Sequence, residues 1–214
     1  MNEYSTISKL VFLIESGEIM PRPPSFDQKQ VLESAMQVFW RKGYATTSVK
    51  DLTDVTKLQP GSLYGAFKNK RNLFMHSLDY YYENLYKDVE QILKSEMPPL
   101  CRIRHFFDHF LNIAKENNES KSCLLVNTLI ELSPEDAEIK QRVSAMFKQI
   151  EKLFVETLHE AKKDGDLENG LIPETIAKML MSGIFGIQVY NKMQNDKDDL
   201  KQIVNNLLTI IEKS

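Results

Sequence analysis

Two short amphipathic segments separated by a three-residue turn constrain the fold of this chain more than any other feature. The segments are Val49–Thr56 and Pro60–Phe67, each eight residues long. Helices of this length are unstable alone because nucleation is costly, so both must pack on a third helix. Apolar residues at helical spacing upstream supply the face of that helix: Val31, Ala35, Val38 and Phe39. The sequence therefore predicts a three-helix head across residues 26–74.

The two short segments are predicted to have distinct inward and outward faces. In the first segment, the inward face is expected to consist of Val49, Leu52 and Val55. In the second segment, Leu63 and Phe67 repeat at i and i+4 and should also face inward. The remaining residues of the second segment are mostly small or polar: Pro60, Gly61, Ser62, Tyr64 and Gly65. A helix that enters the major groove needs small residues near its N-terminus, which predicts a helix-turn-helix with Gln59–Phe67 as its recognition element.

Charge is segregated along the chain, although the net charge of the whole sequence is only −3. Residues 20–78 carry nine basic and four acidic side chains, a net charge of +5. Residues 79–214 carry 17 basic and 23 acidic side chains, a net charge of −6. A basic head on an acidic body suits a protein that presents one end to a polyanion. The slightly negative net charge of the whole chain argues against a protein that coats nucleic acid uniformly.

The rest of the chain is also predicted to be helical, because no stretch shows sustained two-residue alternation. Further helices are expected at about 70–94, 101–117, 121–132, 133–164, 173–191 and 196–212. The predicted fold is all-α with about nine helices, in which residues 75–214 form an effector-binding and dimerisation domain. Residues 1–25 are predicted to be an N-terminal tail or extension, since they end in the stiff segment Pro21-Arg22-Pro23-Pro24.

Several classes of protein are not expected from this sequence. No apolar run approaches the roughly 18–20 residues that span a bilayer, so we expect a cytoplasmic protein that does not bind membranes. Two cysteines do not make a disulfide framework. The sequence has no Ser-His-Asp order, glycine-rich phosphate loop, H-E-x-x-H or paired-cysteine zinc motif, so neither catalysis nor a cofactor is predicted.

The head resembles the DNA-binding head of the TetR/AcrR family of bacterial regulators. The matching residues are Gly43, Tyr44, Thr47, Ser48, Val49, Asp51, Leu52, Gly61, Ser62, Leu63, Tyr64, Phe67, Lys70, Leu73 and Phe74. The resemblance implies that phosphates are held by Thr47, Ser48, Tyr64 and Lys70. It implies that base edges are faced by Gln59, Pro60, Gly61, Ser62 and Gly65. Lys68 follows the recognition helix directly and is included in the predicted DNA-binding set.

The turn departs from the usual pattern of that family at two positions. The family usually has Ala-Gly-Val there, and this chain has Thr56-Lys57-Leu58. If the turn needs a left-handed residue, Lys57 bears strain of roughly 1 kcal/mol. Gln59 replaces the usual small N-cap and is a poorer cap.

By the same resemblance, the body carries a small-molecule effector site and the function is that of a homodimeric repressor released from its DNA operator by the effector. Aromatic residues make a hydrophobic or planar ligand suitable, with core packing as the alternative for each ring taken singly. The candidate pocket residues are Phe106, Phe107, Phe110, Cys123, Phe147 and Phe185.

A second hypothesis concerns Cys123 as a sensor of electrophiles or oxidants. The segment Ser122-Cys123-Leu124 is similar to the Gly-Cys-Leu segment at which some family members, including the N-ethylmaleimide-sensing repressor, carry a reactive cysteine. If Lys121 lies nearby, it would lower the thiol pKa and favour the nucleophilic thiolate. The alternative is a small buried core residue, the commoner fate of a free cysteine.

A metal site is a further hypothesis, but we do not predict one. Cys101, His105 and His109 share one predicted helix face, with Asp108 beside them, and two or three of them are suitable ligands for a transition metal. The alternative, that these residues are partly exposed and unconnected, is more common.

The last two predicted helices each carry an apolar stripe. In the family, two such helices from each subunit build a four-helix dimer interface, and a C2 dimer is the expected symmetry. The candidate interface residues are Met179, Gly183, Ile187, Val204 and Leu208. The alternative is that the stripes belong to the core of one subunit. A dimer would place its recognition helices about one turn of DNA apart, near 34–36 Å.

Overall fold

The computed structural model describes residues 26–116, 123–132, 136–193 and 197–212. Within these residues the chain is all-α, as predicted, and contains no strand. The helices are α1 (Gln28–Lys42), α2 (Val49–Thr56), α3 (Pro60–Phe67), α4 (Lys70–Leu93), α5 (Pro99–Glu116), α6 (Leu124–Glu131), α7 (Ala137–Asp164), α8 (Pro173–Met193) and α9 (Lys197–Thr209). The predicted tail of residues 1–25 lies outside the described residues, and so do residues 133–135, where the prediction began α7.

Local capping explains where the helices of the head begin and end. The Asp27 carboxylate accepts hydrogen bonds from the first amides of α1. Gly43 ends α1 with a φ of 82°, a left-handed value that favours glycine. Asn69 caps α4 by accepting from the backbone N–H of Asn72 at 2.8 Å. The Asn69 cap ends the turn between α3 and α4, so α4 starts only three residues after α3 ends.

Two hydrophobic clusters make up the core, and the first is not confined to the head. It joins apolar residues of α1–α3 and the first half of α4 to Leu124 and Leu125 of α6 and to Ile139 and Val143 of α7. The second cluster lies in the body among the second half of α4, α5, α7, α8 and α9. Because α4 and α7 are about 36 and 42 Å long, both helices run through both clusters. The predicted boundary at Phe74 therefore falls inside a continuous helix.

Ion pairs on the surface also tie α4 to α7. The guanidinium of Arg71 lies 2.6 Å from Glu138 Oε2, and Arg142 Nε donates to Asp79 Oδ1 at 2.7 Å. Exposed ion pairs add little stability, so their main effect is to fix the orientation of the two helices.

One packing prediction for the head is wrong. Val49 is 39% exposed, whereas Leu52 is fully buried and Val55 is partly buried. Val49 is the first residue of α2, directly after the N-cap Ser48, and there it lies outside the three-helix core. No helix in the described part of the chain is long and apolar enough to cross a membrane.

Candidate nucleic-acid interface and ligand cavity

The start of α2 is fixed by a reciprocal pair of hydrogen bonds. The Ser48 hydroxyl accepts from the Asp51 backbone N–H at 3.1 Å, and the Asp51 carboxylate accepts from the Ser48 backbone N–H at 2.9 Å. The Lys42 ammonium donates to the same carboxylate at 2.6 Å. The Lys42 ammonium and then the Ser48 donors hold the pKa of Asp51 well below its usual range. This carboxylate therefore joins the end of α1 to the start of α2.

The turn between α2 and α3 has the strained geometry that the sequence predicts. Lys57 has φ 58° and ψ 19°, which is the left-handed conformation. The Gln59 side chain makes no capping hydrogen bond at the start of α3. The Thr56 hydroxyl compensates in part, because it donates to Leu52 O at 2.7 Å and accepts from Leu58 N at 3.4 Å.

The outward face of α3 is open and free of packing contacts. Leu63 and Phe67 are buried as predicted, while Pro60, Gly61, Ser62 and Gly65 are exposed. A Cβ atom built on Gly61 or Gly65 would have no atom within 4 Å, and neither glycine has a positive φ. Each glycine costs up to about 1 kcal/mol relative to alanine inside a helix. The packing of this chain therefore does not explain why either residue is glycine. Close approach by a binding partner explains it, because glycine has no side chain to obstruct the partner.

Basic and aromatic side chains flank α3. Lys70 is the first residue of α4, where its positive charge interacts unfavourably with the helix dipole. Its ammonium lies 3.4 Å from Ala45 O and 4.8 Å from the centre of the Tyr44 ring, and partial burial lowers its pKa. Lys68 is exposed. Tyr64 is half-buried, and this partial burial raises its pKa. The positive charge of Lys70 at the start of a helix is readily explained by an anionic partner.

Two of the predicted phosphate contacts have their hydroxyl groups engaged within the protein. Thr47 is only 2% exposed, and its hydroxyl donates to Gly43 O at 2.6 Å. This side chain stabilises the turn after α1 and does not reach the surface. Ser48 is exposed, but its hydroxyl proton is donated to Asp51 Oδ2 at 2.8 Å.

A cavity of about 130 Å³ lies within the body and extends to α1. Four of the six predicted pocket residues line it: Phe106, Phe110, Cys123 and Phe147. Phe107 does not line this cavity; it is fully buried and packs edge-on against the Phe106 ring with centroids 5.4 Å apart. Phe185 does not line it either; this half-buried residue packs edge-on against the Phe147 ring at a centroid distance of 4.8 Å.

Sequence reasoning missed three residues of the cavity wall that bear on its chemistry: Trp40, Tyr81 and Gln188. Met36 and Trp40 are four residues apart on α1, and this second apolar face was the signal for Trp40. Gln188 is a polar residue next to the apolar stripe of α8. Nothing in the sequence places these three residues together, because they come from α1, α4 and α8.

The surroundings of Cys123 do not activate its thiol. Burial raises the pKa of Cys123, and this effect outweighs the hydrogen bonds from Tyr81 and from the backbone of Val126 and Leu125. Lys121, which the sensing hypothesis invoked, lies outside the described residues. In this conformation the thiol is protonated at neutral pH, so the hypothesis of a low-pKa thiolate is not supported.

The candidate metal ligands of α5 do not form a metal-binding group in the described part of the chain. Within the described ranges, no group of three or more His, Cys, Asp or Glu side chains is arranged to hold a metal ion. Cys101 is exposed on α5, and His109 lies at the cavity wall.

The predicted dimer stripe lies largely inside the subunit. Ile187, Val204 and Leu208 are 1–3% exposed and belong to the core of the body. Met179 is half-buried against that core, and a Cβ on Gly183 would lie 2.5 Å from Leu207 Cδ2 of α9. α8 and α9 use their most apolar faces to pack on each other and on α7 and α5, so these residues are core residues of the subunit, and their part in a dimer stays a prediction. Other apolar residues are exposed in this region: Val189 on α8, Ile203 on α9 and Ile210 directly after α9, which are 41%, 37% and 51% exposed.

A helix-turn-helix with an open glycine face, mounted on an all-helical body with an internal cavity, defines a DNA-binding regulator. Residues 31–76 match the family model for bacterial regulatory proteins of the tetR family. Residues 99–207, half of the chain, match the model for the tetracyclin repressor-like C-terminal domain. The chain belongs to the TetR family of transcriptional regulators. This is a family of regulators rather than of enzymes.

Individual relatives agree with this assignment. The uncharacterized HTH-type transcriptional regulator YezE of Bacillus subtilis is 29% identical over 90% of this chain and all of its own length. The HTH-type transcriptional repressor DhaR of Mycobacterium sp. is 24% identical over 83% of this chain and 88% of its own. A cysteine mutant of the regulator CifR, complexed with 26-bp operator DNA, superposes with a TM-score of 0.79 at 26% identity, covering 88% of this chain and 98% of that one.

Proposed function

We propose that this protein is a homodimeric repressor that binds operator DNA through α3 and releases it when a small molecule occupies the cavity. The observation that carries the proposal is the open outward face of α3, where two glycines have no packing role. The relatives support it, since DhaR is a repressor and a CifR mutant is complexed with operator DNA.

The proposed contacts divide into those that read bases and those that hold phosphates. The base-reading set consists of Gln59, Pro60, Gly61, Ser62 and Gly65. The phosphate-binding set consists of Ser48, Tyr64, Lys68 and Lys70. We omit Thr47, because its side chain is buried and its hydroxyl is already bonded to Gly43. Ser48 would have to redirect its hydroxyl proton from Asp51 to a phosphate.

The proposed dimer interface uses the outward faces of α8 and α9 instead of the buried stripes. Gly186 is exposed, and a Cβ there would meet no atom within 4 Å, so a helix of a second subunit can approach closely. Val189 on α8, Ile203 on α9 and Ile210 directly after α9 supply exposed apolar surface beside it. A C2 axis through this surface builds a four-helix interface and presents two recognition helices to one face of DNA.

Release requires an effector that binds two conformations with different affinity. α4 offers a mechanical link, because the same helix begins at Lys70 and supplies Tyr81, Leu85 and Val89 to the cavity wall. A ligand that displaces the middle of α4 also moves its first turn, and with it the position of α3. The spacing of the two recognition helices would then no longer match the DNA groove.

The substitution Gly65→Ala tests the proposed use of α3, because stability and DNA binding should change in opposite directions. Alanine favours the helix and meets open space, so the free energy of unfolding should rise by up to about 1 kcal/mol. The added methyl group would stand between α3 and the bases, so operator affinity should fall at least about tenfold. Thermal unfolding and band-shift titration with DNA from the upstream intergenic region measure the two effects.

The matched control is Gln91→Ala, on the exposed side of α4 in the body. It improves helix propensity slightly and should leave operator affinity unchanged. If Gly65→Ala stabilises the protein but keeps full affinity for DNA, α3 is not the element that approaches the bases.

A further inference from the structure

The wall of the cavity restricts the charge of its occupant. Among the described residues that line it there is no lysine or arginine, and the one carboxylate is that of Asp88. A carboxylate or phosphate that leaves water for such a site finds no lysine or arginine partner, and the one histidine among these lining residues, His109, is exposed. Burying an unpaired charge is costly. Asp88 is exposed, and its negative charge adds repulsion against an anion. The site therefore disfavours anionic ligands, and it gives a buried cation no buried carboxylate partner, because Asp88 is exposed.

The volume of the cavity limits the size of its occupant. A volume of about 130 Å³ is comparable with that of an apolar cavity of about 150 Å³ that takes up benzene in another protein. Three phenylalanine rings and several aliphatic side chains form most of the wall. Such a wall suits one ring with a short substituent, whereas a long acyl chain or a fused polycyclic molecule requires the helices to separate.

Polar groups of the wall are concentrated near the start of α6. The Gln188 amide oxygen accepts from the backbone N–H of Cys123 at 3.0 Å, which fixes the side chain and leaves its NH₂ group as a donor. The Tyr81 hydroxyl is hydrogen-bonded to the Cys123 thiol beside it. A ligand with one hydrogen-bond acceptor, such as a carbonyl oxygen, can be oriented by Gln188 while its ring lies among the phenylalanines.

The head also contributes to this wall. Trp40 of α1 lines the cavity, and its ring meets the Tyr81 ring edge-on at a centroid distance of 5.2 Å. An occupant of the cavity therefore contacts a helix of the DNA-binding head directly, in addition to α4.

We propose that the cavity binds an uncharged molecule the size of one substituted ring with a hydrogen-bond acceptor, and that this molecule contacts Trp40. The inference deepens the proposed function by giving the chemical class of the effector. Trp40 is the single tryptophan of the chain, so its fluorescence reports occupancy without a label.

The test compares three planar probes of nearly equal shape and different charge: benzamide, benzoate and benzamidinium. We expect benzamide to change Trp40 emission saturably and to give a matching dissociation constant by calorimetry. Benzoate should bind at least about tenfold more weakly, the equivalent of roughly 1.4 kcal/mol. Benzoate or benzamidinium binding as tightly as benzamide overturns the assignment of an uncharged ligand, and a failure of benzamide to bind overturns the assignment as a whole.

Two variants locate the probe. Gln188→Leu should weaken benzamide about tenfold and leave toluene, which has no acceptor, unaffected. Val126→Phe should fill the cavity and abolish binding of both probes, with thermal unfolding as the check on folding. If Val126→Phe does not fold, Met181→Phe fills the same space from α8. Unchanged benzamide affinity in both Gln188→Leu and a folded filled variant places the probe elsewhere and refutes the site.

Operator binding is measured separately, without any probe, in a band-shift titration. A protein that binds benzamide but no operator DNA contradicts the proposed function and leaves the ligand class intact. A protein that binds operator DNA but none of the probes contradicts the ligand class and leaves DNA binding intact.

Discussion

The head and the body use their apolar residues differently. In the head, α3 buries Leu63 and Phe67 and leaves its other face without packing partners. In the body, α8 and α9 bury their most apolar faces within the subunit and leave other apolar residues on the surface, such as Val189 and Ile203, which are 41% and 37% exposed. The proposed DNA-binding surface thus differs from its surroundings by the packing contacts that it lacks, and the proposed dimer surface by exposed apolar residues that the core does not use.

The difference between the two regions follows from the distance in sequence between the residues of each site. The proposed DNA-binding face comes from one helix and the residues beside it, so local spacing is enough to define it. The cavity collects side chains from α1 and from α4 to α8. Local patterns do not determine how such distant helices meet.

The comparison would break down if the head were an independent unit, and Phe74→Ala tests this with the largest expected effect. Phe74 lies in α4, is 1% exposed, and contacts the rings of Phe39 and Tyr44 at centroid distances of 4.9 and 4.6 Å. The lost burial and the remaining void should lower the free energy of unfolding by about 3–5 kcal/mol. Urea unfolding at fixed protein concentration measures this loss.

The number of transitions in the same experiment shows whether the head unfolds alone. The cluster that contains Phe74 also includes Leu125 of α6 and Val143 of α7. We therefore expect helix content and Trp40 fluorescence to change together in one transition. An early transition of Trp40 fluorescence, with most helix content retained, would mean that the shared cluster does not couple the head to the body.

Much of the head was predictable from sequence, and the exceptions have local causes. The open face of α3, the left-handed Lys57 and the uncapped Gln59 all follow from residue types at fixed offsets. Val49 was misplaced because periodicity alone does not show where a short helix begins relative to the core. The burial of Thr47 depends on a bond to Gly43 that no pattern of spacing reveals.

The body was predictable as a set of helices but not as a set of contacts. The stripe with Ile187, Val204 and Leu208 is apolar at helical spacing, and this pattern is the same for a core face and for an interface. Phe107 and Phe106 are adjacent in sequence, yet one lies in the core and the other at the cavity wall. Only the arrangement of the six helices around the cavity decides which of the two rings lines it.

The outward apolar surface of the body is tested by Ile203→Glu, which has the second-largest expected effect. A carboxylate at the centre of the proposed interface would be buried without a cationic partner. We expect the dimer dissociation constant to rise about 100-fold, which corresponds to roughly 2.7 kcal/mol. Sedimentation velocity over a range of concentrations measures this change.

The control for that variant is Ile130→Glu, the same substitution at a residue that is 60% exposed on α6. It should leave the dimer dissociation constant unchanged. Equal association of both variants would show that the exposed apolar surface of α8 and α9 is not the interface. The residues first predicted for the interface would then have to be tested.

The basic edge of the head is tested by Lys70→Ala, for which we expect the smallest effect. Lys70 begins α4 at the edge of α3, and its ammonium is held by Ala45 O and the Tyr44 ring in a position that faces the surface. Loss of one phosphate contact per subunit should weaken operator binding by about fivefold, or roughly 1 kcal/mol. Binding to unrelated sequences should weaken by the same factor, because phosphate contacts carry no sequence information.

Salt dependence separates a phosphate contact from a general loss of positive charge. The slope of log affinity against log salt concentration should fall by about 1 for each Lys70 contact removed. Lys87→Ala is the matched control, because it removes the same charge from an exposed position on the same helix, in the body. If both variants keep the original slope, Lys70 does not bind a phosphate. If both variants reduce the slope equally, positive charge acts at long range and not through a phosphate contact of Lys70.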